Sequence, residues 1–273
     1  MKLNHTFHAE GISAGYNDRT VIHDISLEIP SNKINVIIGA NACGKSTLLK
    51  TLARLLKPTS GEISLDGKSI SKIPPKQFAR MVGLLPQSPI VPEGITVTDL
   101  VGRGRFPHQS LFNGWTTADT EAVAEAMETM NITELANQHM DELSGGQRQR
   151  VWIAMALAQQ TDILFLDEPT TFLDITYQIE ILDLLTDLNR KRGTTIVMVL
   201  HDINLSARYA DYIFALHKGK LVKEGEPSHV ISPALVKDIF GLDCTVIEDP
   251  ISISPLVVPI GRHHVLQNNV YSY

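Results

Sequence analysis

The chain of 273 residues is 43% apolar, has a formal net charge of −6 and contains two cysteines, Cys43 and Cys244. This composition is typical of a soluble protein with one large or two smaller cores, and two distant cysteines do not form a disulfide framework or metal site. The negative charge argues against nucleic acid as a partner, and the absence of both a secretory signal and an apolar run of roughly 18 residues predicts a cytosolic protein.

The first third of the chain is predicted to contain short strands. Apolar residues alternate in His5–Ala14 and in Val21–Ile29, and the turn-rich segment Gly15–Arg19 separates the two runs. A β-branched run, Ile34–Ile38, follows and ends directly at a glycine. A helix is then predicted over Lys45–Leu56, since its leucines recur on one face.

A phosphate-binding loop is predicted between the third strand and this helix. The segment Gly39–Ser46 reads GANACGKS and matches G-x-x-x-x-G-K-[ST]. In this motif, backbone N–H groups face phosphate oxygens, the lysine reaches the β- and γ-phosphates, and the hydroxyl ligates Mg²⁺. The residues expected to bind a nucleotide here are Gly39, Ala40, Asn41, Ala42, Cys43, Gly44, Lys45, Ser46 and Thr47.

A second anion-binding motif lies in the stretch between Gln87 and Gln160, which is mostly helical in pattern. Helices are predicted over Ala118–Met130 and Arg148–Ala158. The pentapeptide LSGGQ, Leu143–Gln147, lies just before the second of these helices. A hydroxyl, bare backbone and a helix N-terminus together can grip a phosphate.

Two later apolar runs end in polar residues. Ile163–Leu166 leads into Asp167 and Glu168, and Thr195–Leu200 leads into His201. Runs without alternation suit the strands of a parallel sheet covered on both faces, and ligands bind at the carboxyl ends of such strands. We therefore expect these polar residues to converge with the phosphate loop in one crevice.

The acidic pair after the first of these runs has two distinct expected roles. Asp167 supplies a carboxylate ligand for Mg²⁺, which prefers oxygen. Glu168 can orient or deprotonate an attacking water, since phosphoryl hydrolysis otherwise needs mainly positioning and charge neutralisation. An isolated Asp-Glu pair is more often a solvated turn, but the buried-type run and the upstream phosphate loop favour catalysis.

The order of phosphate loop, LSGGQ, ILFLDEPT and strand-terminal histidine resembles the ATP-binding subunits of ABC transporters. The resemblance implies an α/β fold: a P-loop NTPase core with a mainly parallel sheet, an N-terminal antiparallel β subdomain and an inserted helical subdomain. The implied boundaries are 1–87 and 161–224 for the core with its β subdomain, 88–160 for the helical subdomain that carries LSGGQ, and 225–273 for a C-terminal extension.

The resemblance also assigns roles to single residues. Tyr16 would stack on adenine, Gln87 would contact Mg²⁺ and water, Asp174 would cross a dimer seam, and His201 would contact the γ-phosphate. The implied catalytic residues are Lys45, Gln87, Glu168 and His201. The implied metal-binding residues are Ser46, Gln87 and Asp167. From the residues alone, Tyr16 remains open as a turn tyrosine, Asp174 as a helix N-cap and His201 as a structural histidine.

A dimer follows from the same resemblance. The phosphate loop and LSGGQ, the two phosphate grips of one chain, cannot easily contact the same nucleotide if the helical insertion projects outward. In the ABC family, two chains pair head to tail, and each LSGGQ closes over the partner's ATP. We therefore expect a two-fold homodimer in which Ser144, Gly145, Gly146 and Gln147 serve the partner's site, with ATP binding closing the dimer.

A narrower resemblance lies in GRGRFPHQSLFNGW, Gly102–Trp115, which is similar to a segment of the ATPases of iron-siderophore importers and of the related haem and cobalamin importers. It implies docking to membrane permease subunits, and through them an indirect link to a substrate-binding protein, at the cytoplasmic face of the membrane. Arg103, Arg105 and His108 are expected either to form the docking surface or to lie in a solvated basic loop.

Alternatives from other classes remain open. The first is a soluble ABC-type ATPase, for example in iron–sulfur assembly, and the second is a non-catalytic nucleotide-binding regulatory module. The phosphate loop departs from many relatives, which have Pro and Gly at the positions of Ala40 and Ala42. Alanine at position 42 would be strained if that position requires a positive φ. His263 and His264 are more typical of an exposed pair than of a metal site.

Overall fold

The computed structural model describes residues 4–17, 19–87, 93–109, 114–171, 173–261 and 263. The strands are β1 (Phe7–Tyr16), β2 (Arg19–Ile29), β3 (Ile34–Gly39), β4 (Ser60–Leu65), β5 (Lys68–Ser69), β6 (Val82–Leu85), β7 (Ile163–Asp167), β8 (Thr195–Val199), β9 (Tyr212–His217), β10 (Lys220–Gly225), β11 (Cys244–Glu248) and β12 (Pro255–Pro259).

The α-helices are α1 (Lys45–Leu52), α2 (Pro75–Met81), α3 (Val97–Gly102), α4 (Thr117–Thr129), α5 (Gly145–Ala158), α6 (Ile175–Arg192), α7 (Ile203–Tyr209), α8 (Pro227–Val230) and α9 (Pro233–Phe240). Short 3-10 turns cover Ile70–Lys72, Arg103–Arg105, Thr133–Leu135 and Met140–Glu142. In the part of the chain that the structure describes, none of these helices combines the length and the apolarity that a bilayer crossing requires.

The central layer is a six-stranded sheet in the order β10-β9-β3-β8-β7-β6. Strands β9, β3, β8, β7 and β6 are parallel, and β10 is an antiparallel edge. Every residue of β3, β7 and β8 is buried, which is why their sequences are mostly apolar and do not alternate with polar residues. The expected parallel sheet is confirmed.

The parallel strands of this sheet contribute to two cores because successive side chains point to opposite faces. On β7, Leu164 and Leu166 belong to the core shared with α5 and α6. Ile163 and Phe165 belong to the core shared with β1, β2 and α1. There the ring of Phe165 meets Phe7 edge-to-face, with 5.7 Å between ring centroids.

The N-terminal strands form a separate four-stranded sheet in the order β2-β1-β4-β5, with antiparallel pairing throughout. His5 ties the start of this sheet to the central one. Its Nδ1 lies 2.7 Å from Asp66 Oδ2, in the β4–β5 turn, and its Nε2 lies 3.1 Å from Asp162 Oδ2, just before β7. Burial opposes the charged ring, but the two carboxylates outweigh it and raise the pKa of His5.

The helical part consists of α3, α4 and α5, which pack against one another. The structure shortens one predicted element, since α1 ends at Leu52 rather than Leu56. Arg54 has a left-handed φ of 62°, and the N–H groups of Leu55 and Leu56 both turn back to the carbonyl of Lys50. At the C-terminal end, the β11–β12 hairpin is held to α7 by Asn204, whose amide exchanges two hydrogen bonds with the backbone of Val257.

The expectation that Arg105 lies on a surface is wrong. Its side chain is buried, and Nε donates to Asp119 Oδ1 at 2.8 Å while Nη1 donates to the Ala158 carbonyl at 2.8 Å. The hydrogen bond from Arg105, followed by that from Thr116, lowers the pKa of Asp119 to about 2. Arg105 therefore joins α4 to α5, whereas its neighbour Arg103 is exposed.

Replacement of Arg105 tests this structural role. Arg105→Met should lower the free energy of unfolding by about 3 kcal/mol, because Asp119 would be left as a buried charge without its cation. Asp119 has a depressed pKa in the folded protein, so the ion pair stabilises the fold fully at pH values above the ordinary carboxyl pKa of 3.8. The loss of unfolding free energy in Arg105→Met should therefore shrink as the pH falls from 3.8 towards 2.

Urea unfolding monitored by circular dichroism measures this difference, and Arg103→Met, on the same turn, is the matched control with an expected change within about 0.5 kcal/mol. Equal losses in the two variants would contradict the assignment.

Candidate nucleotide-binding site

A cavity of about 680 Å³ opens at the carboxyl edge of the central sheet. It is lined by residues from the N-terminal hairpin, the phosphate loop, the segment after β6 and the ends of β7 and β8, namely Tyr16, Arg19, Val21, Asn41, Ala42, Gly44, Lys45, Ser46, Thr47, Gln87, Glu168 and His201. The predicted crevice therefore exists, because β3, β6, β7 and β8 are parallel and end on the same side.

The phosphate loop begins and ends its tight turn at glycines whose backbone φ angles are positive. Gly39 has φ 155° and Gly44 has φ 108°, and a β-carbon on Gly39 would collide with the Leu216 carbonyl of β9. Lys45 begins α1 and folds back over the loop, donating through Nζ to the carbonyls of Gly39 at 2.9 Å and Ala40 at 3.0 Å. Those carbonyls hold the ammonium group in place beside the cavity.

The other loop positions differ in exposure. Asn41 and Ala42 face the cavity, whereas Cys43 is buried beneath the loop, where burial raises the pKa of its thiol. Ala42 has φ 60°, so the left-handed conformation that strains alanine does occur here. Ala40 is not among the described residues with positive φ.

Asp167 and Ser46 form the part of the site that fits a divalent cation. Ser46 Oγ donates to Asp167 Oδ1 at 2.8 Å, and Asp167 Oδ2 is buried without a hydrogen-bond partner among the described residues. Burial raises the pKa of Asp167 against the opposing hydrogen bond from Ser46. A buried carboxylate oxygen that lacks a donor, beside a serine hydroxyl, is an oxygen donor set suited to Mg²⁺.

Glu168 is at the centre of a polar network at the ends of three strands. Its Oε1 lies 2.6 Å from His201 Nε2, and its Oε2 accepts from Gln87 Nε2 at 2.5 Å and from Thr171 Oγ1 at 3.0 Å. Glu168 has a left-handed φ of 56°, an uncommon conformation for a residue with a side chain. The hydrogen bonds from Gln87 and Thr171 fix the carboxylate at the wall of the cavity that the phosphate loop also lines.

The predicted signature residues lie elsewhere. The helix α5 begins at Gly145, so the glycines of LSGGQ form its first turn rather than precede it. Ser144 is its N-cap and forms a reciprocal capping box with Gln147. None of Ser144, Gly145, Gly146, Gln147 and Asp174 is among the described residues that line the cavity. Asp174 caps α6, with Oδ1 accepting from Tyr177 N at 3.1 Å.

Three residues of the site were missed by the sequence reasoning, and one of them, Val21 of β2, lines the cavity with an apolar side chain. Arg19 pairs with Tyr16 across the β1–β2 hairpin and lines the cavity beside it. Thr171 binds Glu168 through its side chain and also donates its N–H to the Glu168 carbonyl at 3.3 Å. Thr171 lies three residues after the glutamate, and this spacing in a turn was the signal that could have identified it.

The strain at position 42 gives a testable prediction. Ala42→Gly should raise the free energy of unfolding by about 0.5–1 kcal/mol, because glycine adopts a φ of 60° without a steric cost. Ala40→Gly is the matched control in the same loop and should lower stability by a similar amount through chain entropy alone. Thermal and urea unfolding of nucleotide-free protein measure both; destabilisation by Ala42→Gly as large as that by Ala40→Gly would contradict the strain.

Comparison with known proteins places this site in a family. The family described as "ABC transporter" matches residues 22–171. The chain is 51% identical to the ferric enterobactin transport ATP-binding protein FepC of Escherichia coli (strain K12), over 93% of each chain. It is 50% identical to the probable siderophore transport system ATP-binding protein YusV of Bacillus subtilis (strain 168), over 93% of this chain and 92% of that one.

Solved structures agree with this relationship. A metal-chelate type ABC transporter in an inward-facing conformation superposes with a TM-score of 0.82 at 28% identity, covering 95% of this chain and 99% of that one. A dimeric ABC transporter cassette, MJ0796, superposes with a TM-score of 0.70 at 28% identity, covering 81% and 98%. With its phosphate loop, acidic pair and signature sequence in the expected order, the chain belongs to the ATP-binding family of ABC transporters and is an ABC-type ATPase.

Proposed function

We propose that this protein is the ATP-hydrolysing subunit of an importer for a ferric siderophore or a related metal chelate, and that it couples ATP binding and hydrolysis to transport through separate membrane subunits. The observation that carries the proposal is the convergence of the phosphate loop, Gln87, Asp167, Glu168 and His201 at one cavity. Such a site holds a triphosphate and directs a carboxylate towards it.

ATP binding relies mainly on the phosphate loop. The backbone N–H groups at the start of α1 and the Lys45 ammonium offset the phosphate charge, and Tyr16 at the mouth of the cavity offers a face for adenine. Ser46, Asp167 and Gln87 are the residues that would hold Mg²⁺. The metal, when bound, neutralises charge that develops on the phosphate oxygens.

Hydrolysis needs a water molecule held near the terminal phosphate. Glu168 is the residue that would orient this water and accept its proton, because its carboxylate faces the cavity and is fixed by Thr171. His201 and Gln87, both within hydrogen-bonding distance of Glu168, keep the carboxylate in position and would turn towards the γ-phosphate and the metal when the nucleotide is present.

The position of LSGGQ supports a composite site. Its residues and Asp174 are away from the cavity of their own chain, although a helix N-terminus with a serine hydroxyl is a phosphate grip. A head-to-tail dimer would bring the grip of one chain over the nucleotide of the other. Solved dimeric cassettes, including one bound to ADP and Pi, are consistent with this arrangement.

Replacement of the carboxylate tests the proposed chemistry. Glu168→Gln should bind ATP but hydrolyse it at least about a hundredfold more slowly, since the amide cannot accept the proton. The uncleaved ATP should hold the closed dimer together, which size-exclusion chromatography with light scattering detects. Glu248→Gln, an exposed residue of β11, is the control and should behave as the parent protein. Parent-like turnover in Glu168→Gln would remove Glu168 as the catalytic carboxylate.

The class of cargo is inferred from the relatives. FepC is named for ferric enterobactin and YusV for siderophore transport. FhuC of Bacillus subtilis (strain 168), 46% identical over 90% of this chain, is named for iron(3+)-hydroxamate import. Ferric siderophores are the class that these names share, and the cargo itself would be bound by other subunits.

A surface on the helical part suits a membrane subunit. A cavity of about 750 Å³ lies between α3 and α4 and exposes two aromatic side chains, Phe106 at 77% and Trp115 at 52%. Large exposed aromatic groups beside a groove are typical of a protein interface. We infer that a cytoplasmic loop of the permease binds here, so that the ATPase is peripheral at the cytoplasmic face. Residues 110–113 of the docking segment lie outside the described residues.

The docking surface can be tested apart from ATP hydrolysis. Phe106→Ser should reduce uptake of radiolabelled ferric siderophore by about tenfold or more in cells that depend on this chain, because an interface aromatic commonly contributes 2 kcal/mol or more to binding. Ile251→Ser, at the same 77% exposure on the β11–β12 turn, is the matched control and should leave uptake unchanged. Equal uptake in the two variants would contradict the docking surface.

A further inference from the structure

The first turns of α5 and α6 lie in direct contact. Gly146 belongs to the first turn of α5, and Tyr177 belongs to the first turn of α6. A β-carbon built on Gly146 would lie 3.1 Å from two ring carbons of Tyr177. The tyrosine ring thus covers the glycine so closely that a β-carbon at position 146 would require the ring to move by a few tenths of an ångström.

The two glycines of LSGGQ therefore have different surroundings. A β-carbon on Gly145 would meet no atom within 4 Å, so Gly145 is free to face a ligand. At Gly146, by contrast, the Tyr177 ring of the same chain occupies the space that a β-carbon would enter. Tyr177 therefore contacts the second glycine of LSGGQ and leaves the first one open.

A second contact between the helices lies one turn further along. Arg150 forms an ion pair with Glu180. Because an α-helix has about 3.6 residues per turn, Arg150 lies one turn beyond Gly146 and Glu180 lies about one turn beyond Tyr177. The helices are thus joined at two successive levels, which sets their relative rotation and displacement.

Tyr177 is also fixed to the start of its own helix. Its N–H donates to the capping carboxylate of Asp174, and Gln178 Nε2 donates to the Leu173 carbonyl at 2.9 Å. Tyr177 is 37% exposed, so it is part of the surface that carries both Asp174 and LSGGQ. Tyr177 is not among the described residues that line the nucleotide cavity of its own chain.

We propose that Tyr177 is a positioning residue that holds the Ser144–Gly146 phosphate grip at a fixed position relative to Asp174 of the same chain, so that both contact the partner's nucleotide together. The proposal rests on the composite dimer described under the proposed function. Its physical basis is that a phosphate grip made of N–H groups depends steeply on position, and a shift of about 1 Å in such a group can cost a hundredfold in rate.

Mixed dimers test which nucleotide site depends on Tyr177. One chain carries Lys45→Ala and an intact LSGGQ; the other carries Ser144→Arg and an intact phosphate loop, and the two carry different affinity tags. The purified heterodimer has one intact composite site, formed by Lys45 of the second chain and Ser144 of the first. Its other site is damaged on both sides.

Tyr177→Ala is then introduced into each chain separately. In the chain with the intact LSGGQ, it should lower the kcat of the heterodimer by about tenfold, because the only working grip is displaced. In the chain with Ser144→Arg, it should leave kcat unchanged, because that grip is already inactive. Tyr177→Phe in the first chain should restore the rate, since the ring without its hydroxyl still covers Gly146.

A purely structural role would not produce this asymmetry. Equal losses in the two chains, or no loss in either, would overturn the role of Tyr177. An inactive starting heterodimer, before any change at Tyr177, would instead refute the composite site and with it the basis of the proposal. Thermal unfolding and ATP binding to each single chain confirm that Tyr177→Ala is folded and retains the phosphate-loop affinity of its parent.

Discussion

Parallel pairing around β3 is the constraint on which the site depends. The strand lies between β9 and β8, and β7 and β6 follow on one side in the same direction. Their carboxyl ends therefore meet along one edge, where the phosphate loop follows β3 and the acidic pair follows β7. Both faces of the sheet are covered by apolar side chains, so the polar residues at the strand ends have this edge as their common location.

The same packing separates the two phosphate grips. α5 is held to α4 through Arg105 and Asp119, and to α6 through Tyr177 and Glu180. LSGGQ is consequently fixed on the body of its own chain at a place that does not line its own nucleotide cavity. Within the proposed dimer, each chain contributes its phosphate loop to one nucleotide site and its LSGGQ to the other site. The contacts between α5 and α6 make LSGGQ a rigid part of the surface.

The central strands and the site residues could be predicted because their sequences report burial directly. β3, β7 and β8 are mostly apolar and covered on both faces, and each is followed or ended by a residue of different chemistry: Gly39, Asp167 and, two residues beyond β8, His201. The six-stranded order could not be derived from composition or periodicity, and the family resemblance implied only that the sheet is mainly parallel; the order became visible in the folded chain. Similarly, the roles of Gln87 and His201 came from the resemblance, while their contacts with Glu168 required the folded chain.

The remaining errors come from interactions that are not local in sequence. Arg105 was expected in a docking surface or a solvated basic loop. In the folded chain, Asp119, 14 residues away, pairs with the guanidinium group, and the Ala158 carbonyl at the end of α5 and the side-chain carbonyl of Gln160 accept its other hydrogen bonds. The early end of α1 depends on a left-handed residue, Arg54, which helical periodicity does not reveal. Tyr177 carries no motif, and its contact with Gly146 is visible only when two helices separated by a strand are packed together.

The dependence of ATP turnover on protein concentration tests the central claim most directly, which is that each chain carries half of each site. If the site is shared, the rate per chain at saturating ATP and Mg²⁺ should fall towards zero on dilution and rise to a plateau as dimers form. The plateau should coincide with the dimer fraction measured by light scattering on the same samples. A rate per chain that stays constant down to concentrations at which only monomer is detected would contradict the account.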